Sequence, residues 1–146
     1  MGEMNGGCMC GRVRYSANVE NDEAYLCHCR MCQRSSGNVS LAMKNLNKAD
    51  VRWEREPDYY ASSPFARRGF CSGCGTSLSF EYPDSGKMDL IVGTFDDPSR
   101  FVPEHHFAAE SMNRAWINTE GLPETRTDEY QPLVDRWMKS VGKLPG

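Results

Sequence analysis

The chain has 146 residues, of which 39% are hydrophobic and 25% are charged, and its formal net charge is −3 at pH 7. A net negative charge disfavours non-specific binding to nucleic acid, and no apolar run approaches the roughly 18 residues of a membrane-spanning helix. Residues 1–8 carry neither the basic nor the apolar part of a secretory signal. We therefore expect a single domain over residues 1–146 in the cytoplasm, with no nucleic-acid partner and no membrane partner.

Short apolar bursts bounded by turn residues predict a mainly β protein. Residues 77–82 alternate small or polar with apolar side chains, which is typical of a strand with one buried face. The tail predicts a short closing helix, because Pro132 suits a first helical turn and apolar residues then recur at every fourth position, at Leu133, Trp137 and Val141. The predicted strands, in chain order, are residues 12–17, 39–43, 51–54, 67–71, 77–82, 88–93 and 104–108.

Seven cysteines fall into three tight clusters, at residues 8–10, 27–32 and 71–74. An odd number cannot pair completely as disulfides, and the cytoplasm expected for this chain keeps thiols reduced. Cysteines that served only as small buried apolar residues would be irregularly spaced. The clusters therefore indicate metal binding.

Two of the clusters combine into one four-ligand zinc site. Cys71 and Cys74 form a C-x2-C pair followed by Gly75, the spacing of a zinc knuckle, in which a turn brings both sulfurs to one ion. Cys8 and Cys10 form a tighter pair with glycines on both sides that allow the chain to bend. Because structural zinc takes four ligands, we predict a closed zinc site made of Cys8, Cys10, Cys71 and Cys74.

The remaining cysteines, Cys27, Cys29 and Cys32, leave a fourth ligand position open, which is the pattern of a catalytic zinc. We therefore predict two zinc ions per chain. A rival partition closes the second site with a histidine, and the chain offers three of them: His28, His105 and His106.

Acidic residues are absent from residues 5–19, 24–49 and 65–80, the stretches that hold the cysteines. These stretches contain six arginines, which either offset thiolate charge or bind the carboxylates of an anionic substrate. Gln33, Ser35 and Ser36 follow the third thiolate and can donate hydrogen bonds to sulfur or substrate. The candidate substrate contacts are Arg12, Arg34 and Ser36.

The cysteine motifs resemble those of the glutathione-dependent formaldehyde-activating enzyme family, also called the GFA or CENP-V domain. The resemblance rests on Gly7-Cys8-Met9-Cys10-Gly11, on Cys27-His28-Cys29-Arg30-Met31-Cys32 with Ser36-Gly37, and on Phe70-Cys71-Ser72-Gly73-Cys74-Gly75-Thr76. It runs from about residue 6 to residue 116, which leaves residues 117–146 as a C-terminal extension.

The resemblance implies a compact Mss4-like β fold with zinc-knuckle turns and the same division of two zinc ions. It also implies a carbon-sulfur lyase similar to S-(hydroxymethyl)glutathione synthase, with Cys27, Cys29 and Cys32 holding the catalytic metal. The implied partners are a small thiol such as glutathione and a small aldehyde such as formaldehyde. Nothing in the sequence indicates an oligomeric state.

Two other functions agree with the same cysteines. In the first, both zinc ions are structural and the domain is a non-catalytic module for protein recognition. In the second, the three-cysteine cluster stores metal or senses oxidants, because zinc-bound thiolates release zinc when they are oxidised. A fourth protein ligand on the second zinc would favour the non-catalytic module, whereas an open position there favours the enzyme.

Overall fold

The structure is a computed structural model that describes residues 1–145. Its secondary structure is mainly β, as predicted. The strands are β1 (Gly2–Gly7), β2 (Arg14–Val19), β3 (Glu23–Cys27), β4 (Leu41–Asn47), β5 (Val51–Trp53), β6 (Asp58–Ser63), β7 (Ala66–Phe70), β8 (Ser77–Glu81), β9 (Lys87–Ile91) and β10 (Val102–Phe107). The α-helices are α1 (Arg30–Ser36) and α2 (Gln131–Ser140).

The strands form two sheets. The smaller sheet has the order β1-β2-β5, and the larger has the order β10-β3-β4-β9-β8-β7-β6. All paired strands are antiparallel except β10, which lies parallel to β3 at one edge of the larger sheet. Both sheets belong to a compact unit, Met1–Asn113, and α2 belongs to a second unit that begins at Arg114. The single domain over residues 1–146 stays a prediction.

The two faces of the larger sheet pack against different groups of side chains. Leu90 on β9 belongs to the main apolar core, which it shares with Tyr15 of the smaller sheet. The next residue, Ile91, points the other way and packs against a second cluster that contains Cys27 and Cys32. Side chains alternate in this way because a β-strand has a period of two residues. The sheet thus places the three-cysteine cluster on the face opposite the main core.

Every predicted strand has an observed counterpart, with ends shifted by a few residues. The structure adds β1, β3, β6 and α1, which the sequence pattern did not predict. The predicted terminal helix is confirmed as α2, but Val141 lies beyond its end and is 54% exposed. No helix among residues 1–145 is both long enough and apolar enough to cross a membrane.

Candidate metal centres

The four-cysteine cluster brings together the two motifs that the sequence analysis combined. The sulfurs of Cys8, Cys10, Cys71 and Cys74 all lie within 4.8 Å of one another. Cys10 Sγ lies 3.6 Å from Cys8 Sγ and 3.8 Å from Cys71 Sγ, although 61 residues separate Cys10 from Cys71. The cluster therefore joins the loop that follows β1 to the turn between β7 and β8.

Backbone hydrogen bonds shape the turn at Cys71. The Cys71 amide donates to the Thr76 carbonyl at 3.0 Å, and the Gly75 amide donates to the Cys71 carbonyl at 2.7 Å. Gly75 has a φ of +80°, a left-handed conformation that glycine adopts without steric cost. The predicted zinc-knuckle turn is therefore present, and it turns the Cys71 and Cys74 sulfurs towards the first loop.

Hydrogen-bond donors surround the sulfurs of this cluster. The Val13 amide donates to Cys8 Sγ at 3.2 Å, and the Thr76 hydroxyl lies 3.2 Å from Cys74 Sγ. The contact with Thr76 lowers the pKa of Cys74 to about 5. Donors of this kind stabilise thiolate, the form of cysteine that binds zinc.

Arg12, one of the predicted substrate contacts, lies beside the four-cysteine cluster. Its guanidinium donates to the Asp58 carboxylate at 2.9 Å and to the Ser72 hydroxyl at 3.3 Å. Asp58 also accepts the Ser72 amide at 2.9 Å, and these contacts, with the Ser72 amide foremost, lower the pKa of Asp58 to about 2. The structure thus gives Arg12 an ion-pair partner next to Cys71, on the four-cysteine side.

The three-cysteine cluster is local in sequence. Cys27 ends β3, Cys29 is the N-cap of α1, and Cys32 lies in the first turn of that helix. Their sulfurs lie within 4.8 Å of one another, and among the described residues no histidine, aspartate, glutamate or further cysteine joins the group. The Cys32 amide donates to Cys29 Sγ at 3.2 Å, so a potential metal ligand also caps the helix.

Arg68 reaches this cluster from β7 on the same face of the sheet. Its two terminal nitrogens lie 3.5 and 3.6 Å from Cys32 Sγ, and one of them also donates to the Ser35 hydroxyl at 3.3 Å. Only 8% of Arg68 is exposed, and the guanidinium lies 4.8 Å above the Phe80 ring. Hydrogen bonding from Cys27, followed by that from Arg68, lowers the pKa of Cys32 to about 5.

Nothing in the sequence distinguished Arg68 from the other five arginines near the cysteines. It lies 36 residues from Cys32 in sequence, and the strand order of the larger sheet brings it to the cluster. One signal was present, because Arg68 lies in the acid-free stretch that precedes Cys71.

The other two predicted substrate contacts lie on α1. Arg34 is exposed in the last turn of the helix. The Ser36 hydroxyl donates to the Cys32 carbonyl at 2.8 Å, within the helix itself. Neither residue contacts a cysteine sulfur in the hydrogen bonds of residues 1–145, and their contact with substrate stays a prediction.

Histidine stands outside both cysteine clusters over the described residues. His28 is fully buried, and its Nε2 lies 2.9 Å from Nδ1 of His106. His105 stacks on Tyr25 with ring centroids 5.1 Å apart. These arrangements give no support to the partition in which a histidine closes the second metal site.

Gln33 holds the loop of the three-cysteine cluster in place. Its side-chain amide donates to the carbonyls of His28 at 2.8 Å and Ser111 at 3.1 Å, and its oxygen accepts a hydrogen bond from Arg30. Gln33 is itself buried. The contacts tie α1 to the segment after β10, and they fix the backbone between the first and second cysteines of the cluster.

The chemistry of both clusters fits zinc. Thiolate sulfur is a preferred zinc ligand, and the outer contacts of zinc ligands are hydrogen-bond donors of the kind found here. The four-cysteine group can saturate a tetrahedral ion, whereas the three-cysteine group leaves one position for another ligand. Two cysteine clusters able to hold metal ions are therefore present, as the sequence spacing predicted.

Comparison with known proteins adds three findings. Residues 3–111 match the family model described as glutathione-dependent formaldehyde-activating enzyme. An uncharacterized lyase of Schizosaccharomyces pombe is 35% identical over 95 residues, which cover 65% of this chain and 69% of that protein. A crystal structure of a Rhodobacter sphaeroides protein has a TM-score of 0.57 at 21% identity, covering 70% of this chain and 99% of that one. This last likeness concerns the fold alone.

Proposed function

Because this chain belongs to the glutathione-dependent formaldehyde-activating enzyme family, we propose that it is a zinc-dependent carbon-sulfur lyase. The proposed reaction is the reversible addition of a thiol to a small aldehyde. Glutathione is the proposed thiol and formaldehyde the proposed aldehyde, which together give S-(hydroxymethyl)glutathione. Similarity to a protein named as a lyase supports the reaction class, and the cytoplasm remains the predicted location.

One observation carries this proposal, namely that three thiols converge without a fourth ligand. Cys27, Cys29 and Cys32 are the whole of that group over residues 1–145. A purely structural zinc site is closed by four protein ligands, so a three-ligand group suits a metal that must also bind a substrate atom. Residues 24–49 contain no acidic residue, so this stretch supplies no carboxylate that could take the fourth ligand position of the metal.

In this proposal Cys27, Cys29 and Cys32 hold the catalytic zinc. When bound, zinc supplies a Lewis acid that lowers the pKa of a coordinated thiol towards neutrality. The reaction forms a bond between the thiol sulfur and the aldehyde carbon, while the π pair of the carbonyl moves to oxygen, which takes up a proton. The addition involves no oxidation or reduction.

The chain's own residues prepare the site electrostatically. Arg68 places a positive charge against Cys32 Sγ, and the Cys32 amide donates to Cys29 Sγ. Both contacts offset negative charge on the thiolates, so less of it opposes the approach of a second, substrate thiolate. Because Arg68 is buried, this interaction is weakly screened by solvent.

Exchange spectroscopy tests the proposal, since glutathione and formaldehyde also combine without a catalyst. We expect zinc-loaded protein to accelerate NMR-detected exchange between free and hydroxymethylated glutathione. Cys29→Ala, which retains the four-cysteine cluster, should abolish the acceleration. Equal exchange with wild-type protein, with Cys29→Ala and without protein, over several thiols and aldehydes, would refute the lyase function.

A second candidate is the non-catalytic module for protein recognition. The observation in its favour is an exposed aromatic pair beside the larger sheet, where Phe65 stacks on Tyr82 with ring centroids 6.0 Å apart. Exposed aromatic groups are common in protein interfaces. Unaltered exchange rates combined with two tightly held zinc ions would favour this module.

A further inference from the structure

A cavity of about 190 Å³ lies beside the three-cysteine cluster. Arg68 and Ile91 connect the two, because both line the cavity while Arg68 donates to Cys32 Sγ and Ile91 packs against the cluster. Most of the wall is apolar or small. Besides Arg68 and Ile91, it includes Ser35 of α1 and Tyr60, Phe70 and Ser77 of the adjoining strands.

Arg68 is the one charged residue among the described residues that line this cavity, and none of them is acidic. Its terminal nitrogens are occupied by Cys32 and Ser35. Its Nε–H, in contrast, is buried and has no acceptor among residues 1–145. A buried donor on a cation without an acceptor is unfavourable, so a ligand that brings an oxygen atom to this N–H is stabilised by it.

Formaldehyde leaves most of such a cavity empty, since it has one carbon and no substituent. A cavity of this size beside the three-cysteine cluster has room for a group attached to the carbonyl carbon of the aldehyde. The only charge on its wall is positive, which favours an anionic group. A carboxylate on the neighbouring carbon meets both conditions of size and charge.

We propose that this cavity binds the carboxylate of glyoxylate, the aldehyde whose carbonyl carbon is bonded directly to a carboxylate, and that Arg68 Nε–H is its specificity contact. The inference rests on the proposed lyase function and names a substrate class for the same site. The thiol sulfur bonds to the aldehyde carbon, the carbonyl π pair moves to oxygen, and the proton lost by the thiol is balanced by one gained at that oxygen. The product is a 2-hydroxy-2-thioether carboxylate, and no oxidant is needed.

A titration of the cavity tests binding without any reaction. Glycolate, which has the carboxylate but no aldehyde, is added to zinc-loaded full-length protein labelled with ¹⁵N-arginine. We expect a saturable shift of the Arg68 Nε–H resonance, assigned by its loss in Arg68→Lys, and no shift with the neutral analogue ethylene glycol. Absence of a glycolate shift, or equal shifts from both compounds, overturns the inference.

Substrate preference provides a second test. With 2-mercaptoethanol as the thiol, only the aldehyde can supply a carboxylate, so kcat/KM is compared for glyoxylate and formaldehyde. Ile91→Phe, which fills the cavity and leaves Arg68 in place, should lower the ratio of glyoxylate to formaldehyde about tenfold or more. Tyr82→Phe, outside the cavity lining, should leave the ratio unchanged. An unchanged ratio in Ile91→Phe contradicts the proposal even if Arg68→Lys fails to fold.

These tests separate this inference from the proposed function. If no aldehyde is accelerated, formaldehyde included, the lyase function fails, while the glycolate titration still decides whether the cavity binds a carboxylate. If formaldehyde is accelerated but Arg68 Nε–H responds to S-methylglutathione instead of glycolate, the cavity serves the thiol and the inference is overturned. Saturable glycolate binding together with a preference for glyoxylate supports it.

Discussion

The two cysteine clusters use the same ligand atom in opposite structural settings. The four-cysteine cluster joins segments 61 residues apart, whereas the three-cysteine cluster occupies six consecutive residues at the end of β3 and the start of α1. The first is closed by its own sulfurs, and the second has a buried arginine and a cavity beside it. We expect the four-cysteine cluster to hold distant segments of the fold together and the three-cysteine cluster to present its metal to a further ligand.

Removal of one ligand from each cluster is expected to give the largest difference between them. Cys74→Ala should unfold the chain, because structural zinc contributes about 10–16 kcal/mol to the folding of small zinc-finger peptides. Cys29→Ala should leave a folded protein, since β3 and α1 retain their other contacts. Circular dichroism and thermal melting compare the two variants, and equal melting behaviour would show that the distinction is wrong.

Zinc removal should separate the clusters in time. A moderate chelator should take one zinc equivalent quickly from the three-cysteine cluster and the second much more slowly, because four thiolates must release the latter. Absorbance of a zinc-binding dye follows both phases. Cys29→Ala should show only the slow phase, and a single fast phase of two equivalents in the wild type would contradict the assignment.

Outer contacts of the closed site should have intermediate effects. Thr76→Val removes a hydroxyl that lies 3.2 Å from Cys74 Sγ and accepts the Met9 amide at 3.1 Å. Loss of such a contact typically costs about 10-fold to 100-fold in metal affinity. Competition with a chelator should show this loss for one zinc only, with Ser36→Ala as a control on the other side. A weakened second zinc would argue against separate sites.

A buried carboxylate on the face of the three-cysteine cluster is expected to lower stability as pH rises. Burial raises the pKa of Asp89, which accepts a hydrogen bond from Asn45 at 3.2 Å. Since the folded-state pKa exceeds the unfolded one, protonated Asp89 favours folding, and this advantage is lost as pH rises through the folded-state pKa. Asp89→Asn should therefore raise the urea midpoint at pH 8, and this difference between the two midpoints should narrow as pH falls towards about 4, the ordinary pKa of aspartate. A difference in urea midpoint that stays constant with pH would contradict the raised pKa of Asp89.

The carboxylate beside the four-cysteine cluster should behave in the opposite sense and more weakly. The pKa of Asp58 is lowered to about 2, chiefly by the Ser72 amide, so ionised Asp58 favours folding above its ordinary pKa of about 4. Asp58→Asn should slightly lower the urea midpoint by the same amount throughout pH 5 to 8. Because 38% of the Asp58 side chain is exposed to solvent, salt should reduce this difference. A gap that changes across this pH range would point to another group.

The sequence predicted both cysteine clusters because metal ligands must satisfy a count and a spacing that are visible along the chain. The sequence pattern did not predict α1, because this helix lacks the usual signals of a helix. The helix has only seven residues, shows no apolar periodicity, and is capped by Cys29 Sγ instead of the hydroxyl or carboxylate that marks most helix starts. Similarly, β1 contains three glycines, which disfavour strands, and still pairs along its whole length with β2.

Local sequence patterns could not predict contacts between segments that lie far apart along the chain. Arg68 reaches Cys32 only through the sheet order, and Asn45 meets Asp89 only through the register of β4 and β9. Arg12 pairs with Asp58, which lies on a strand that the sequence pattern did not predict. The contact of Arg12 with a substrate stays a prediction.

The separation between Cys10 and Cys71 also sets an order of events during synthesis. A chain growing from its amino end carries Cys27, Cys29 and Cys32 well before Cys71 has been made. The local cluster can therefore take up its metal on the ribosome, whereas the other must wait for β7 and close a loop of about 60 residues at an entropic cost that grows with the logarithm of its length. When zinc is scarce in the cell, the four-cysteine cluster, which completes the fold, would then lose metal occupancy first. The three-cysteine cluster, which any catalysis needs, would lose it last.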